Sequence, residues 1–140
     1  MNEIEINRFN PDDEAVGVLI HECFSAYGTE NGIILNYNEF CFVAKNKEGK
    51  IIGAINGRTL YDEVHIADLV VDEEYRGIGL GSRLIKTVEE NYRGKGFGFI
   101  TLTTFEFQAP EFYKKLGYNV EFLRENKDLR LTKYFFRKDI

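Results

Sequence analysis

The chain has 140 residues, 44% of them hydrophobic and 29% charged, with a formal net charge of −5. That length suits one domain over residues 1–140 with its own core, and the acidic balance argues against sequence-independent nucleic-acid binding. No apolar run reaches the length of a membrane span, and the start, Met1-Asn2-Glu3-Ile4-Glu5, lacks the basic and apolar regions of a secretory signal, so a cytoplasmic protein is the expectation.

Ile4, Ile6 and Phe9 predict a short first strand. Asn10-Pro11-Asp12-Asp13-Glu14 predicts a helix start, with Asn10 as cap, Pro11 in the first turn and the acids complementing the dipole. Val16, Leu19, Ile20, Cys23, Phe24 and Tyr27 recur at helical spacing as an apolar stripe, and Gly28 reads as the stop. His21 falls on the opposite side and reads as a surface histidine. Cys23 and Cys41 read as reduced core thiols, in preference to a disulfide or a metal pair. Residues 29–38 form a connector with room for a short helix.

Phe40 to Ala44 and Ile51 to Ile55 predict two strands joined by a hairpin turn at Asn46-Lys47-Glu48-Gly49. Val64 to Val71 follows a bend near Asp62 as a third strand, which runs into Arg76-Gly77-Ile78-Gly79-Leu80-Gly81-Ser82. Alternate glycines let a backbone approach a ligand closely. The helix that begins there offers unpaired N–H groups and the positive end of its dipole, which together make a phosphate-binding device. Arg76 at its lip has a guanidinium able to fork onto phosphate oxygens. Ser82 occupies the third glycine of the dinucleotide fingerprint, and Ser82-Arg83 replaces the Lys-Ser/Thr of a P-loop, so neither of those motifs is met. Taken alone, the pattern also fits a strand-to-helix turn that binds nothing.

Leu80, Leu84, Ile85, Val88 and Tyr92 share one face of the following helix, with Ser82, Arg83, Lys86, Glu89 and Glu90 facing away. Tyr92 to Gly98 repeats the look of Tyr75 to Gly81, but it follows a helix and precedes a strand, so it reads as a C-cap and loop. The strand Phe99 to Thr103 completes a parallel crossover. Gln108 to Gly117 predicts a short helix with Pro110 in its first turn. Tyr118 to Phe122 and Leu131 to Phe136 predict two last strands around a turn at Glu125 to Asp128. The fold class is α+β: a mostly antiparallel central sheet with one parallel crossover and helices on its faces.

Arg76-x-x-Gly79-x-Gly81, with its lead-in Val71-Asp72-x-x-Tyr75-Arg76-Gly77, resembles the acyl-CoA-binding motif of the GNAT N-acetyltransferases. Ala109-x-x-Phe112-Tyr113-x-Lys115-x-Gly117-Tyr118 resembles that family's C-terminal motif, and the element order is similar from Ile4 to Phe136. The resemblance implies a GNAT-type fold in which a bulge in the strand Val64 to Val71 splays it from its neighbour and opens a cleft for acetyl-CoA. It also implies site residues. Leu69, Val70 and Val71 would hydrogen-bond the pantetheine arm. Arg76, Gly77, Ile78, Gly79, Leu80, Gly81 and Ser82 would hold the pyrophosphate. Tyr113 would contact the cofactor and protonate its departing sulfur. The family's usual Asn, three residues before the motif's Ala, is Glu106 here, and Gln108 is the nearby replacement.

Asp68 interrupts an otherwise apolar strand, on the alternating face of Val64, Ile66 and Val70, and is the candidate base, with His65, Glu106 and water as rivals. No His/Cys cluster has metal-ligand spacing, so no metal is expected. The expected activity is transfer of an acetyl group from acetyl-CoA to a primary amine of a small molecule or peptide. The alternative is a non-catalytic acyl-CoA-binding or sensor domain. No nucleic-acid or membrane partner is expected, and a homodimer is allowed but not required.

Overall fold

The computed structural model describes residues 3–140. They form two compact units, one ending at Leu35 and one covering Asn36–Ile140, and each is described by itself.

The first unit is built on α1 (Glu14–Glu30). Its cap is Asp13, whose carboxylate accepts from Ala15 N at 2.9 Å. Asn10, the expected cap, instead accepts from Asp12 N in a local turn. Residues 3–10 form no strand: Ile4 and Ile6 alternate, but they and Phe9 are exposed, and alternation without a partner strand does not order a backbone. The helix runs past Gly28, which is buried because the Ile33 carbonyl lies where a Cβ would stand. Gly32, at φ +71°, supplies the left-handed residue that follows the helix. The stripe is not a core: Leu19, Ile20, Phe24 and Tyr27 are each more than half exposed. Cys23 is exposed as well, and so is Cys41 in the second unit, so both are surface thiols.

The second unit is a six-stranded sheet in the order β1-β2-β3-β4-β6-β5. The strands are β1 (Asn38–Lys45), β2 (Ile51–Leu60), β3 (Glu63–Val71), β4 (Phe99–Phe105), β5 (Asn119–Arg124) and β6 (Lys133–Asp139). The expected hairpin turn closes β1 on β2 through Asn46, whose side-chain oxygen accepts from Glu48 N and Lys50 N, each at 3.0 Å. All pairings are antiparallel except β3 with β4, which α2 (Leu80–Tyr92) connects. Leu84, Ile85 and Val88 of α2 join Ile55, Val64, Ile66, Ile100, Leu102 and Phe136 in one core. The short α3 (Pro110–Lys115) adds Phe112 and Tyr113 to that core, and its C-cap residue Leu116 packs there too.

Glu89 departs from the expected outward face of α2. It is 5% exposed, and its carboxylate accepts from the Tyr118 hydroxyl at 2.9 Å and from Lys138 Nζ at 3.0 Å. The stripe on α2 is therefore wider than its apolar residues indicate, because a paired carboxylate can be buried.

Two irregularities shape the sheet. Asn56 of β2 pairs with Asp68 while Gly57 pairs with Ile66, so Ala67 is an extra residue in β3. The parallel pairing of β3 with β4 covers only Glu63, Val64 and His65 against Phe99, Ile100 and Thr101. Beyond that point the two strands part.

Candidate functional site

The parting strands frame a cleft of about 250 Å³ lined by Asp68, Leu69, Val70, Gln108 and Tyr113, among others. Between Ile66 and Val71 no pairing of β3 with β4 is found, so the β3 backbone on that edge keeps polar groups for another extended chain. The bulge also moves the side chains. Before it, Val64 and Ile66 are buried; after it, Leu69 and Val71 pack on the core while Asp68 and Val70 are exposed, Val70 at 60%. Asp68 and Val70 therefore do not share the face of Val64 and Ile66. Each extra residue shifts a period-two pattern by one position.

At the end of β3, Asp72 caps a single 3-10 turn at Glu73–Tyr75 by accepting from Glu74 N at 3.0 Å. Arg76 donates from Nε to the Val71 carbonyl at 3.0 Å, which fixes the start of its side chain against the strand end. Gly79 then caps α2 at φ +84° with no side-chain cap bond, and no acidic residue stands in the first turn. The amides there have no side-chain competitor among the described residues, unlike those of α1, which Asp13 caps. An added Cβ at Gly77 or Gly79 meets nothing within 4 Å. Gly81 has a different role: a Cβ there would press on the Phe112 ring at 3.3 Å, so this glycine lets α2 and α3 approach.

Tyr113 is 9% exposed, held edge-on to Phe112 at 5.1 Å and beside Phe136 at 5.9 Å. Burial raises its pKa above the usual phenol range. Gln108 turns back on β4: its side-chain oxygen accepts from Phe105 N at 2.9 Å, which leaves the amide N–H groups as donors at the cleft. Glu106 is not part of the cleft lining; its carboxylate accepts the Tyr134 hydroxyl.

His65 sits on the last paired step before the strands part. Its Nδ1 lies 2.8 Å from Thr101 Oγ1, and that hydroxyl donates to Glu63 Oε2 at 2.5 Å. Thr101 has one proton and directs it at Glu63, so His65 Nδ1 donates and Nε2 carries the lone pair. Burial, then the Arg58 charge, lowers the imidazole pKa from its ordinary value, which keeps the ring neutral. Thr101 and Glu63 did not stand out in the sequence, because only strand pairing brings them to His65. Ala67 left a trace there: the apolar positions pass from Val64 and Ile66 to Leu69 and Val71, out of phase by one residue.

A larger depression of about 620 Å³ lies between α2 and the β1–β2 hairpin, with Lys45, Lys47, Tyr75 and Arg83 in its wall, and shares no residue with the cleft. Among the described residues no group of three or more His, Cys, Asp or Glu is placed to hold a metal, and no helix is long and apolar enough to cross a membrane.

Comparisons with known proteins place this geometry in a family. The model of the Acetyltransferase (GNAT) family matches residues 7–118. The chain is 39% identical over 78 residues to blasticidin-S acetyltransferase of Streptomyces morookaense, covering 55% of this chain. It spans little more than half the length of the curated relatives it matches, 57% of that one and 56% of another. It is 33% identical to an acetyltransferase of known crystal structure from Bacillus cereus ATCC 14579, with a TM-score of 0.77 over 96% of this chain and 98% of that one. A streptothricin acetyltransferase candidate from Bacillus anthracis str. Ames, solved in complex with acetyl coenzyme A, shares the fold at 23% identity, with a TM-score of 0.65 over 74% of this chain and 63% of that one.

Proposed function

The chain belongs to the GNAT acetyltransferase family, and from that premise we propose that it is an acetyl-CoA-dependent N-acetyltransferase acting on a primary amine of a small molecule or peptide. The observation that carries this is the cleft between β3 and β4, with an uncapped helix N-terminus after β3 and the buried phenol of Tyr113 in its wall. Backbone groups of Leu69, Val70 and Val71 hold the pantetheine arm as an added strand. Amides from Gly77 to Ser82 and the guanidinium of Arg76 meet the pyrophosphate. Gln108 donates from its amide in place of the asparagine that the family commonly has at the position of Glu106.

Transfer forms a bond between the amine nitrogen and the acetyl carbon and breaks the bond from that carbon to sulfur. Tyr113 gives its phenolic proton to the departing sulfur, and the proton lost by the amine restores the phenol by way of the base and solvent. An ordinary thiol titrates near ~8.5 and a phenol near ~10, so a phenol stays protonated at neutral pH and can donate; burial strengthens that state. Asp68, in the cleft wall, takes the amine proton. A second reading gives that role to His65, because the chain through Thr101 to Glu63 fixes a lone pair on Nε2.

The test is release of CoA thiol from acetyl-CoA with a panel of primary amines. Thiol release that depends on amine concentration is expected. Tight acetyl-CoA binding without release by any amine would make the domain a binder or sensor.

A further inference from the structure

Two charged side chains lie on the packed side of the sheet and take no part in the chemistry above. Lys138 stands on β6 two residues from the core Phe136, so both face the same way. The Lys138 side chain is 26% exposed and that of Glu89 only 7%. Lys138 Nζ donates to Glu89 Oε2 at 3.0 Å and to the Leu116 carbonyl at 2.8 Å. A buried ion pair is a weak source of stability, since apolar side chains of similar volume often do as well or better in its place. What such a pair supplies and an apolar pair does not is direction.

The hydrogen bonds of this pair lead to Tyr113. Leu116 is the C-cap of α3, and its N–H donates to the Tyr113 carbonyl at 3.1 Å. The Tyr118 N–H donates to the same carbonyl at 3.1 Å, and the Tyr118 hydroxyl donates to Glu89 Oε2 at 2.9 Å. The Tyr118 ring, held at that end, is the wall on which the Tyr113 ring rests edge-on, with 6.2 Å between centroids. Gly117, at φ +90°, turns the chain between Leu116 and Tyr118, and a Cβ there would lie 3.5 Å from the Lys138 stem. Tyr113 lines the cleft, whereas Lys138, Glu89 and Tyr118 do not. Glu89 is also roughly 15 Å along the helix axis from Gly79, so the pair is remote from the pyrophosphate turn.

We propose that Lys138 is a positioning residue for acetyl transfer: from outside the cleft, through the Leu116 carbonyl and through Glu89 and Tyr118, it fixes where the Tyr113 phenol stands. This rests on the reading of Tyr113 as the acid that protonates the departing sulfur. A proton donor works only within hydrogen-bond reach of its target, and a misplacement of about 1 Å caused by a distant substitution can cost about 10²-fold in rate. Lys138 therefore acts on the transfer step and leaves cofactor binding alone.

The test is a double-mutant cycle read by single-turnover acetyl transfer at saturating acetyl-CoA, with calorimetry of acetyl-CoA binding beside it. Lys138→Met should lower the transfer rate about tenfold or more with acetyl-CoA affinity near the parent value. In the Tyr113→Phe background the same substitution should change the rate by less than about twofold, because the hydroxyl that it displaces is already gone. A loss of stability alone would lower the rate equally in both backgrounds. If Lys138→Met does not fold, Glu89→Gln combined with Lys138→Met strands no charge and keeps an acceptor for Tyr118, and the same pattern is expected of it. A parent rate for Lys138→Met, an equal loss in both backgrounds, or a matching loss of acetyl-CoA affinity would overturn the proposal. The two readings fail separately. Tyr113→Phe at the parent rate, or no thiol release with any amine, would remove the reading of the site and this inference with it. A slow Tyr113→Phe beside Lys138→Met at the parent rate would remove this inference alone.

Discussion

Tyr113 has a packing part in the structure and a chemical part in the proposed mechanism, and one substitution separates them. Its ring packs among Phe112, Tyr118 and Phe136, while its hydroxyl belongs to a residue of the cleft wall. Tyr113→Phe keeps the ring, so melting temperature and acetyl-CoA affinity should stay near the parent values. Loss of a general acid lowers the rate by about 10²–10⁴-fold, which single-turnover acetyl transfer would read without interference from product release. A parent rate in that assay would reduce Tyr113 to packing. The base is separated in the same way. Asp68→Asn should lower kcat by about 10²-fold or more with acetyl-CoA affinity retained. An unchanged rate would pass the role to His65, whose signature differs. Its pKa is held below 6.5, so kcat/KM would fall on the acid side with a midpoint below that value, and His65→Gln would remove the limb.

At the scale of elements, the two glycine runs around α2 differ by what they face. The first opens the N-terminus of the helix, where the dipole favours an anion; the second follows the C-terminus, with Gly94 at φ +76° and Gly96 at φ +93° carrying the chain into β4. Gly79→Asp adds a side chain where a Cβ meets nothing, and aspartate tolerates the left-handed region better than most residues, so the variant should fold. Its charge stands where the pyrophosphate should lie, and calorimetry should find acetyl-CoA affinity largely lost. Gly96→Ala is the counterpart. A Cβ in the left-handed region costs roughly 1–2 kcal/mol, so urea unfolding should shift while acetyl-CoA affinity stays unchanged. The opposite pattern in this pair would mean that the second run is the anion site.

At the scale of the whole sheet unit, the buried carboxylate of Glu89 ties α2 to β6 through Lys138 and to the turn after α3 through Tyr118. Lys138 also donates to the Leu116 carbonyl at 2.8 Å, so a single ammonium joins the three. Removing one partner of a buried pair strands the other charge, which costs about 3–5 kcal/mol. Lys138 is partly exposed, which puts Lys138→Met near the lower end in urea unfolding. The same network sets a pH dependence. Burial, then the Glu89 charge, raises the Tyr118 pKa well above 10 in the folded protein. The folded state thus holds its proton where the unfolded chain has lost it. This stabilisation is complete below pH 10 and is lost as the pH rises from there toward the folded value. Tyr118→Phe should flatten that alkaline loss, though not abolish it, since burial raises Tyr92 and Tyr113 as well.

By itself the sequence determined the order of elements from α1 to β6, the crossover at α2 and the glycine turn that opens its N-terminus, because these follow from local periodicity and from backbone freedom at a few positions. It also carried the two motifs that resemble the family, since each is a contiguous run. Only the tertiary structure decided what depends on pairing between distant segments. Three apolar residues near the N-terminus do not make a strand without a partner. The buried place of Glu89 depends on Lys138, 49 residues away in the chain. The bulge at Ala67 reverses the face on which Asp68 stands, although the phase slip in the apolar pattern was already there. The His65–Thr101–Glu63 chain arises from register across strands, which no local pattern encodes.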